Sequence, residues 1–387
     1  MTDQTETMIA PASLAPLFQP ITINGCVIPN RIVMAPMTRM FAVDGVLAES
    51  AVDYYRRRAA GGVGLILTEG IAISQIAAHT KNVPEIATPE QQAPWRWVTD
   101  AVHEAGGRIM AQLWHTGLGR IRDMAADPDQ PSIGAMDYYL DPASPLVEIG
   151  GNHPQGRAMT EAEILAVIEE YAAAAANAQA AGFDGVQLHG AHGYLIDQFL
   201  WHETNRRTDG WGGGIAARTR FAVEIIRAIR ARTGPDFPIG FRFSQWKLPT
   251  LYDVKSWANP EELEQALLPL VDAGVDFLDA STRRYWAVEF EDSPLTLAGW
   301  ARKITGLPTM AVGSVGLDGA LDPTNAGRTD APQRNLGQAI AMMERGEIDM
   351  LGVGRAVIAN PDWANKVRQG RDMELQAFDA AILAQHV

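Results

Sequence analysis

The chain has 387 residues, of which 47% are hydrophobic, and its formal net charge at pH 7 is −14. That charge argues against nucleic acid as a partner, because a protein that neutralises phosphates needs a basic face. The single cysteine, Cys26, excludes an intramolecular disulfide framework, and the absence of a signal peptide or of an apolar run of about 18 residues predicts a cytoplasmic protein with no membrane partner.

Residues 17–30 come first and read as a small hairpin turned by Asn24-Gly25, a dipeptide typical of two-residue hairpin turns. Short apolar runs with helical segments between them follow along the rest of the chain. These runs are continuous in Val, Ile, Leu and Met, as expected of parallel strands that are covered on both faces. The eight strand candidates are residues 31–36, 63–70, 108–115, 185–190, 238–244, 275–281, 308–314 and 348–355.

Eight strands alternating with helices favour closure into a (β/α)₈ TIM barrel over an open doubly wound sheet. We therefore predict one domain over residues 1–387, with the 17–30 hairpin as a cap on the N-terminal end of the barrel. The connection after the third strand, residues 116–159, is far longer than a usual βα loop and is predicted to be an insertion at the active site. Residues 282–286 and 317–335 are further loops that carry no assigned role.

The seventh and eighth strands end in Gly313-Ser314 and Gly354-Arg355. In barrels of this type that corner is a frequent phosphate site, because glycine lets backbone N–H groups approach a phosphate and arginine can clamp it. Glycines that only make tight strand-to-helix turns are the alternative. Two adjacent turns with an arginine at the second favour the phosphate site.

Polar residues near the barrel axis come from other strand ends. A cation within the fifth strand, Arg242, must be paired or must face an anionic ligand. Taken alone, Arg242 suits a structural ion pair. Together with Thr38 and Gln112, it forms a polar lining that suits a flat heterocycle with several acceptors, such as an isoalloxazine ring.

His189, His192 and Tyr194 follow one another at the end of the fourth strand. A metal site would need a third or fourth ligand, and no carboxylate or further histidine lies nearby in the sequence, so we predict no metal. Two satisfied structural histidines are a second possibility. The favoured interpretation is a pair of imidazole donors that grip a carbonyl or nitro oxygen, with Tyr194 close enough to deliver a proton.

Several spaced motifs, in order, resemble the Old Yellow Enzyme family of FMN-dependent ene-reductases from about Leu17 to Arg368. They are Asn30-Arg31, Met34-Ala35-Pro36-Met37-Thr38-Arg39, Gln112-Leu113-Trp114-His115-Thr116-Gly117, His189-Gly190-Ala191-His192-Gly193-Tyr194-Leu195, Thr204-Asn205-Arg206-Arg207-Thr208-Asp209 and Gly354-Arg355.

The resemblance implies a role for each matching residue. Those expected to contact a tightly but non-covalently bound FMN ring are Pro36, Met37, Thr38, Gly70, Gln112 and Arg242. Those expected to hold its phosphate are Gly313, Ser314, Gly354 and Arg355. His189 and His192 are expected to bind the activating oxygen of the substrate, Tyr194 to protonate its α-carbon, and Trp114 to line the substrate pocket.

The implied activity is transfer of hydride from NADPH or NADH, through FMN, to the β-carbon of an α,β-unsaturated carbonyl compound or a nitroalkene, by a monomer or homodimer. Two alternatives stay open. Tyr138 and Tyr139 could form a cage for a quaternary amine in an oxidative demethylase. A non-redox lyase acting on a sugar phosphate would need a Schiff-base lysine or a metal, and Lys247 is predicted to lie just beyond the fifth strand.

Overall fold

The structure is a computed structural model that describes residues 13–78, 80–120, 124–137, 156–248, 251–317, 329–330 and 336–386. Eight parallel strands of the described residues close into a barrel, as predicted. In the order in which they pair around it, they are β3 (Ile32–Met34), β4 (Leu65–Ala72), β5 (Arg108–Trp114), β8 (Gly185–His192), β9 (Ile239–Lys247), β10 (Phe277–Ser281), β11 (Thr309–Val312) and β13 (Met350–Val353).

Three two-stranded sheets accompany the barrel among the described residues. The strands that form them are β1 (Ile21–Ile23) with β2 (Cys26–Ile28), β6 (Ser132–Gly134) with β7 (Gly156–Ala158), and β12 (Thr329–Asp330) with β14 (Phe378–Asp379). The helices are α1 (Ser50–Ala60), α2 (Pro89–Glu104), α3 (Glu161–Ala180), α4 (Leu195–Leu200), α5 (Ile215–Thr233), α6 (Pro260–Ala273), α7 (Leu297–Thr305), α8 (Leu336–Glu344), α9 (Arg355–Ala359) and α10 (Trp363–Arg368). In the described residues no helix combines the length and the apolar character that crossing a bilayer requires.

The N-terminal hairpin closes one end of the barrel. Asn24 and Gly25 have φ values of 41° and 79°, the left-handed pair that a two-residue hairpin turn requires. Ile23 and Ile28 are buried and pack with the apolar side chains that fill the barrel interior, Phe277 among them. The hairpin therefore packs against the interior of the barrel as the predicted cap does.

The opposite end is irregular. The pairing register shifts between Leu67 and Gly70 on β4, and again between Gly190 and His192 on β8. Bulges of this kind bend a strand and redirect its side chains. Both lie where strands end at the C-terminal end of the barrel. Of the predicted 116–159 loop, residues 121–123 and 138–155 lie outside the described residues, as do 318–328 and 331–335 of the 317–335 loop.

Candidate active site

A cavity of about 630 Å³ opens at the C-terminal end of the barrel strands. Its wall contains nearly all of the residues that the sequence predicted for a site: Pro36, Met37, Thr38, Gln112, Trp114, His189, His192, Tyr194, Arg242, Gly313, Ser314, Gly354 and Arg355. Gly70 is not in the part of the wall formed by described residues. A Cβ at Gly70 would lie 2.4 Å from a ring carbon of Trp114, so this glycine makes room for the tryptophan.

Four aromatic side chains form one side of the cavity. The ring centroids of His189 and His192 are 5.0 Å apart, and that of Tyr194 lies 5.0 Å from His189 and 4.9 Å from Trp114. The bulge after Gly190 produces this cluster, because it places His192 at a φ of 64° and lets Tyr194 precede α4. The structure thus brings together the two donors and the acid that the sequence predicted.

Burial sets the protonation states of this cluster. Burial, and then the Arg242 cation, hold the pKa of His189 well below its ordinary value. Burial likewise lowers the pKa of His192, with His189, Arg242 and Lys247 adding to the effect. Burial raises the pKa of the Tyr194 phenol. At neutral pH the cluster therefore consists of two neutral imidazoles and a protonated phenol, all of which can donate hydrogen bonds.

A chain of buried polar side chains crosses the barrel beside the cluster. The Gln112 amide donates to Gln187 over 2.8 Å, and the Gln187 amide donates to Asp279 over 3.0 Å. Arg242 completes the chain, since its Nε lies 3.5 Å from the carboxylate of Asp279. Arg242 is thus both an ion-pair partner and a residue of the cavity wall. The Asp279 carboxylate holds the guanidinium of Arg242 in place. Gln112 donates its amide N–H to Gln187, so its carbonyl oxygen remains as an acceptor.

The corner between β11 and β13 has the backbone that the phosphate prediction requires. Gly313 and Ser314 have φ values of 143° and 54°. A Cβ at Gly313 would lie 2.5 Å from the Thr282 carbonyl oxygen, so only glycine fits there. Arg355 begins α9 directly after Gly354, and its guanidinium lies 5.5 Å from the Phe378 ring.

The charge of the wall fits the anionic, aromatic cofactor that the sequence implied. The chain has a net charge of −14. Even so, the described wall includes four arginines and no Asp or Glu. Arg242 is paired with Asp279 behind the wall, but the surface that faces the cavity carries only basic charged side chains, which favours an anionic ligand. Nδ1 of His189 is buried with no hydrogen-bond partner among the described residues, so it is a polar atom that a ligand in the cavity could satisfy. The residues present therefore fit FMN.

Two further wall residues escaped the sequence analysis. Ser281 accepts a hydrogen bond from Arg242 over 3.1 Å, and its hydroxyl lies 2.9 Å from Nε2 of His192. Trp246 stacks on His192 with ring centroids 4.2 Å apart. Ser281 therefore links the cation of the wall to an imidazole of the aromatic cluster. A single serine at the end of an apolar strand shows no pattern, so only the strand assignment itself could have drawn attention to it.

The C-terminal segment also contributes to the wall, through Phe378, Ala380 and Leu383. One guanidinium nitrogen of Arg39 donates to the carbonyl oxygens of Leu383 and Gln385. Arg39 directly follows Thr38, so the segment that forms the end of the cavity is tied to the loop predicted to contact the cofactor. Nothing in the sequence connects these two stretches, which lie more than 340 positions apart.

The structure revises one prediction that bears on the lyase alternative. Lys247 is the last residue of β9 rather than a residue beyond it, and it forms a fully buried ion pair with Asp197. It is not in the described cavity wall. Within the described ranges, no group of three or more His, Cys, Asp or Glu could hold a metal ion. Tyr138 and Tyr139, proposed for a cation cage, lie outside the described residues.

Comparisons with known proteins relate this chain to oxidoreductases. Residues 16–374 match the family described as NADH:flavin oxidoreductase / NADH oxidase. An NADH oxidase of Thermoanaerobacter brockii is 33% identical over 373 residues, which is 93% of this chain and 52% of that protein, so the chain spans about half its length. The 12-oxophytodienoate reductase 7 of Oryza sativa subsp. japonica is 33% identical over 368 residues, or 92% of this chain and 88% of that protein. The structure of an old yellow enzyme homologue from Zymomonas mobilis matches with a TM-score of 0.76 at 28% identity, covering 95% of this chain and 96% of that one.

Proposed function

This chain belongs to the NADH:flavin oxidoreductase / NADH oxidase family, and from that premise we propose that it is an FMN-dependent ene-reductase that uses NAD(P)H. Its substrates are activated alkenes, namely α,β-unsaturated aldehydes and ketones and nitroalkenes. The observation that supports this proposal best is the convergence of His189, His192 and Tyr194 in one wall of a cavity that also contains four arginines.

The chain would hold FMN through two groups of residues in the cavity wall. The ring-binding group is Pro36, Met37, Thr38, Gln112 and Arg242, and the phosphate-binding group is Gly313, Ser314, Gly354 and Arg355. When bound, FMN supplies a hydride carrier between the nicotinamide and the alkene. Arg242 places a fixed positive charge in the wall, held by Asp279, where a reduced ring would carry negative charge.

His189 and His192 bind the carbonyl or nitro oxygen of the substrate. Because both imidazoles are neutral, they donate hydrogen bonds without an ion that would bind carboxylates indiscriminately. Their donation draws electron density from the alkene onto the oxygen, which makes the β-carbon electrophilic. In a buried wall these donors are worth more than in water, since no solvent competes with them.

Tyr194 supplies the proton for the α-carbon. Burial raises its pKa, so the phenol keeps its proton until a basic carbon is presented to it. Trp114 packs edge-on against Tyr194, with ring centroids 4.9 Å apart, and restricts the position of the phenol. The chain thereby aligns an acid and two donors on one substrate, which is the main contribution a protein makes when a cofactor carries the hydride.

The test is an absorption spectrum of the purified protein, followed by NADPH and then cyclohexenone without oxygen. We expect a flavin band at about 450 nm that bleaches with NADPH and returns with cyclohexenone. NADH is tested in parallel, with cyclohexanone, which has no alkene, as the control acceptor. A protein that stays colourless after incubation with FMN, or a bleached band that cyclohexenone does not restore, would refute the proposal.

A further inference from the structure

An ion pair without solvent contact lies beneath the turn that carries His192 and Tyr194. Nζ of Lys247 is 2.8 Å from each of the two carboxylate oxygens of Asp197, and both side chains are fully buried. Removing two such ions from water costs several kcal/mol per ion, and an apolar pair of similar volume is often at least as stable. Stability alone therefore gives a weak account of why this pair is present.

Asp197 acts on the turn directly. Its carboxylate accepts the backbone N–H of Gly193 over 2.6 Å. His192 and Gly193 have φ values of 64° and 82°, so two consecutive residues adopt the left-handed backbone conformation. For a residue with a side chain that conformation costs about 1–2 kcal/mol. The turn therefore needs an external partner, and the buried carboxylate of Asp197 provides one.

Lys247 holds the neighbouring strand against the same turn. Its ammonium donates to the Ser244 carbonyl over 3.1 Å and to the Ser256 hydroxyl over 2.8 Å. The Ser244 hydroxyl in turn accepts the backbone N–H of His192 over 3.0 Å. Lys247 is also the residue opposite His192 in the ladder between β8 and β9. The backbone of His192 is thus fixed from the strand side while Gly193 is fixed from the helix side.

We propose that Asp197 and Lys247 are positioning residues that lock the His192–Gly193–Tyr194 turn, so that the imidazole and the phenol reach one substrate together. Neither side chain is in the described cavity wall, so the pair acts through the turn rather than by touching substrate. The catalytic half of this inference rests on the proposed alkene reduction. The structural half, rigidity of the turn, does not.

The chain contains a matched control at the other end of the same strand. Asp276 accepts the N–H of Ile239, the first residue of β9, over 2.8 Å and pairs with Arg230 over 2.8 Å. Asp276→Ala therefore removes a carboxylate with the same two kinds of contact, far from the turn. The test compares Asp197→Ala, Lys247→Met and Asp276→Ala, each purified as the FMN-loaded enzyme.

The first measurement is hydrogen–deuterium exchange of the peptide that spans residues 190–196. Asp197→Ala is expected to speed exchange of the Gly193 amide at least about tenfold, because that N–H loses its acceptor, whereas Asp276→Ala leaves it unchanged. Equal Gly193 exchange in wild type and Asp197→Ala would overturn the positioning role, whatever the activity of either protein.

The second measurement separates the two half-reactions. Asp197→Ala and Lys247→Met are expected to slow re-oxidation by cyclohexenone by about 10- to 100-fold, the cost of misplacing a catalytic group. Flavin content and reduction by NADPH should stay within about threefold of wild type. A loss that is equal in both half-reactions, or that Asp276→Ala reproduces, would overturn the proposal.

A double variant keeps the test open if the single variants do not fold. Asp197→Asn/Lys247→Met removes both charges, which buried pairs often tolerate, and keeps an acceptor for Gly193 while losing the ties to Ser244. Re-oxidation should fall about 3- to 10-fold; a wild-type rate would count against the pair. Wild-type enzyme that cyclohexenone does not re-oxidise would refute the proposed function, and the exchange measurement would still decide the role of the pair.

Discussion

The two ends of the barrel differ in composition and in backbone regularity: one is packed with apolar side chains, and the other carries polar side chains on irregular strands. At the N-terminal end, the hairpin places Ile23 and Ile28 against apolar side chains, and the strand register is regular. At the C-terminal end, two strands carry bulges, His192 and Ser314 adopt left-handed backbone conformations, and a buried imidazole nitrogen of His189 has no partner among the described residues. The N-terminal end buries apolar side chains against one another, whereas the C-terminal end presents polar side chains that a ligand could contact. Changes at the first end should therefore affect stability alone, and changes at the second should affect chemistry.

The largest effect on chemistry is expected at Tyr194. Tyr194→Phe keeps the ring that packs on Trp114 and removes only the hydroxyl that would donate the proton. Re-oxidation of the reduced enzyme by cyclohexenone should slow by about 10²–10⁴-fold, the usual contribution of a general acid. Reduction by NADPH in the same variant serves as its own control. Stopped-flow rates that fall equally in both half-reactions would show that Tyr194 is not the proton donor.

His189→Ala is expected to cost about 10²–10³-fold in re-oxidation by cyclohexenone, because one of two donors to the developing oxyanion is lost. The matched control is His103→Ala, which removes a histidine from the end of α2, where it bonds Asp184 over 2.8 Å. His103→Ala should leave both half-reactions unchanged. Equal losses of re-oxidation rate in His189→Ala and His103→Ala would show that His189 has no specific role at the C-terminal end of the barrel.

Ile28→Ala tests the other end. A fully buried Ile truncated to Ala should lower the free energy of unfolding by about 2–5 kcal/mol, while turnover per bound FMN stays at the wild-type value. Val27→Ala is the control, since the neighbouring Val27 side chain is 53% exposed and should change stability little. Denaturant titration at a fixed FMN concentration measures both. Loss of turnover per FMN in Ile28→Ala would mean that the hairpin end also shapes the site.

The smallest expected effect is that of pH on re-oxidation. The pKa values of His189 and His192 are lowered and that of Tyr194 is raised, all chiefly by burial, so none of the three changes charge between pH 6 and 9. The rate with cyclohexenone should vary by no more than about twofold across that range. A break near pH 6.5 would show that one imidazole is solvated and titrates normally.

In contrast to the re-oxidation rate, the contribution of His103 to stability should depend on pH. Its hydrogen bond to Asp184 raises its pKa, so the stability it contributes is complete below the ordinary histidine pKa and is lost as pH rises through the raised value. The difference in melting temperature between wild type and His103→Ala should therefore shrink from pH 5 to pH 8. A difference that grows with pH would reverse the assignment.

The fold was predictable because continuous apolar runs identify strands buried on both faces, and the family resemblance drawn from the motifs is confirmed by the match over residues 16–374. The residues at which strands end were harder to predict from the sequence. β9 continues through Trp246 to Lys247, and a lysine is not expected inside a barrel strand. Its partner, Asp197, lies 50 positions earlier in α4, and no local pattern links the two.

The site was predictable where residue chemistry was unusual for its element, as for His189 or Arg242. Contacts made across strands were not. Gly70 is predicted at the edge of a cofactor ring, and the structure adds a contact with Trp114 of the next strand that neither strand's own sequence indicates. Ser281 and Asp279 enter the site through β10, whose sequence resembles any buried strand. Which polar residue faces the barrel centre depends on the register of all eight strands, and that cannot be derived from one strand at a time.

The contact between Gly70 and Trp114 makes these two positions dependent on one another during evolution or engineering. Any side chain at position 70 would occupy space that the indole fills, since even a Cβ would come within 2.4 Å of it. A variant with a larger residue at 70 is therefore viable only if position 114 shrinks, and a smaller residue at 114 first frees position 70 to change. Libraries that aim to widen the substrate range should vary the two codons jointly, because scanning each alone would miss their productive combinations.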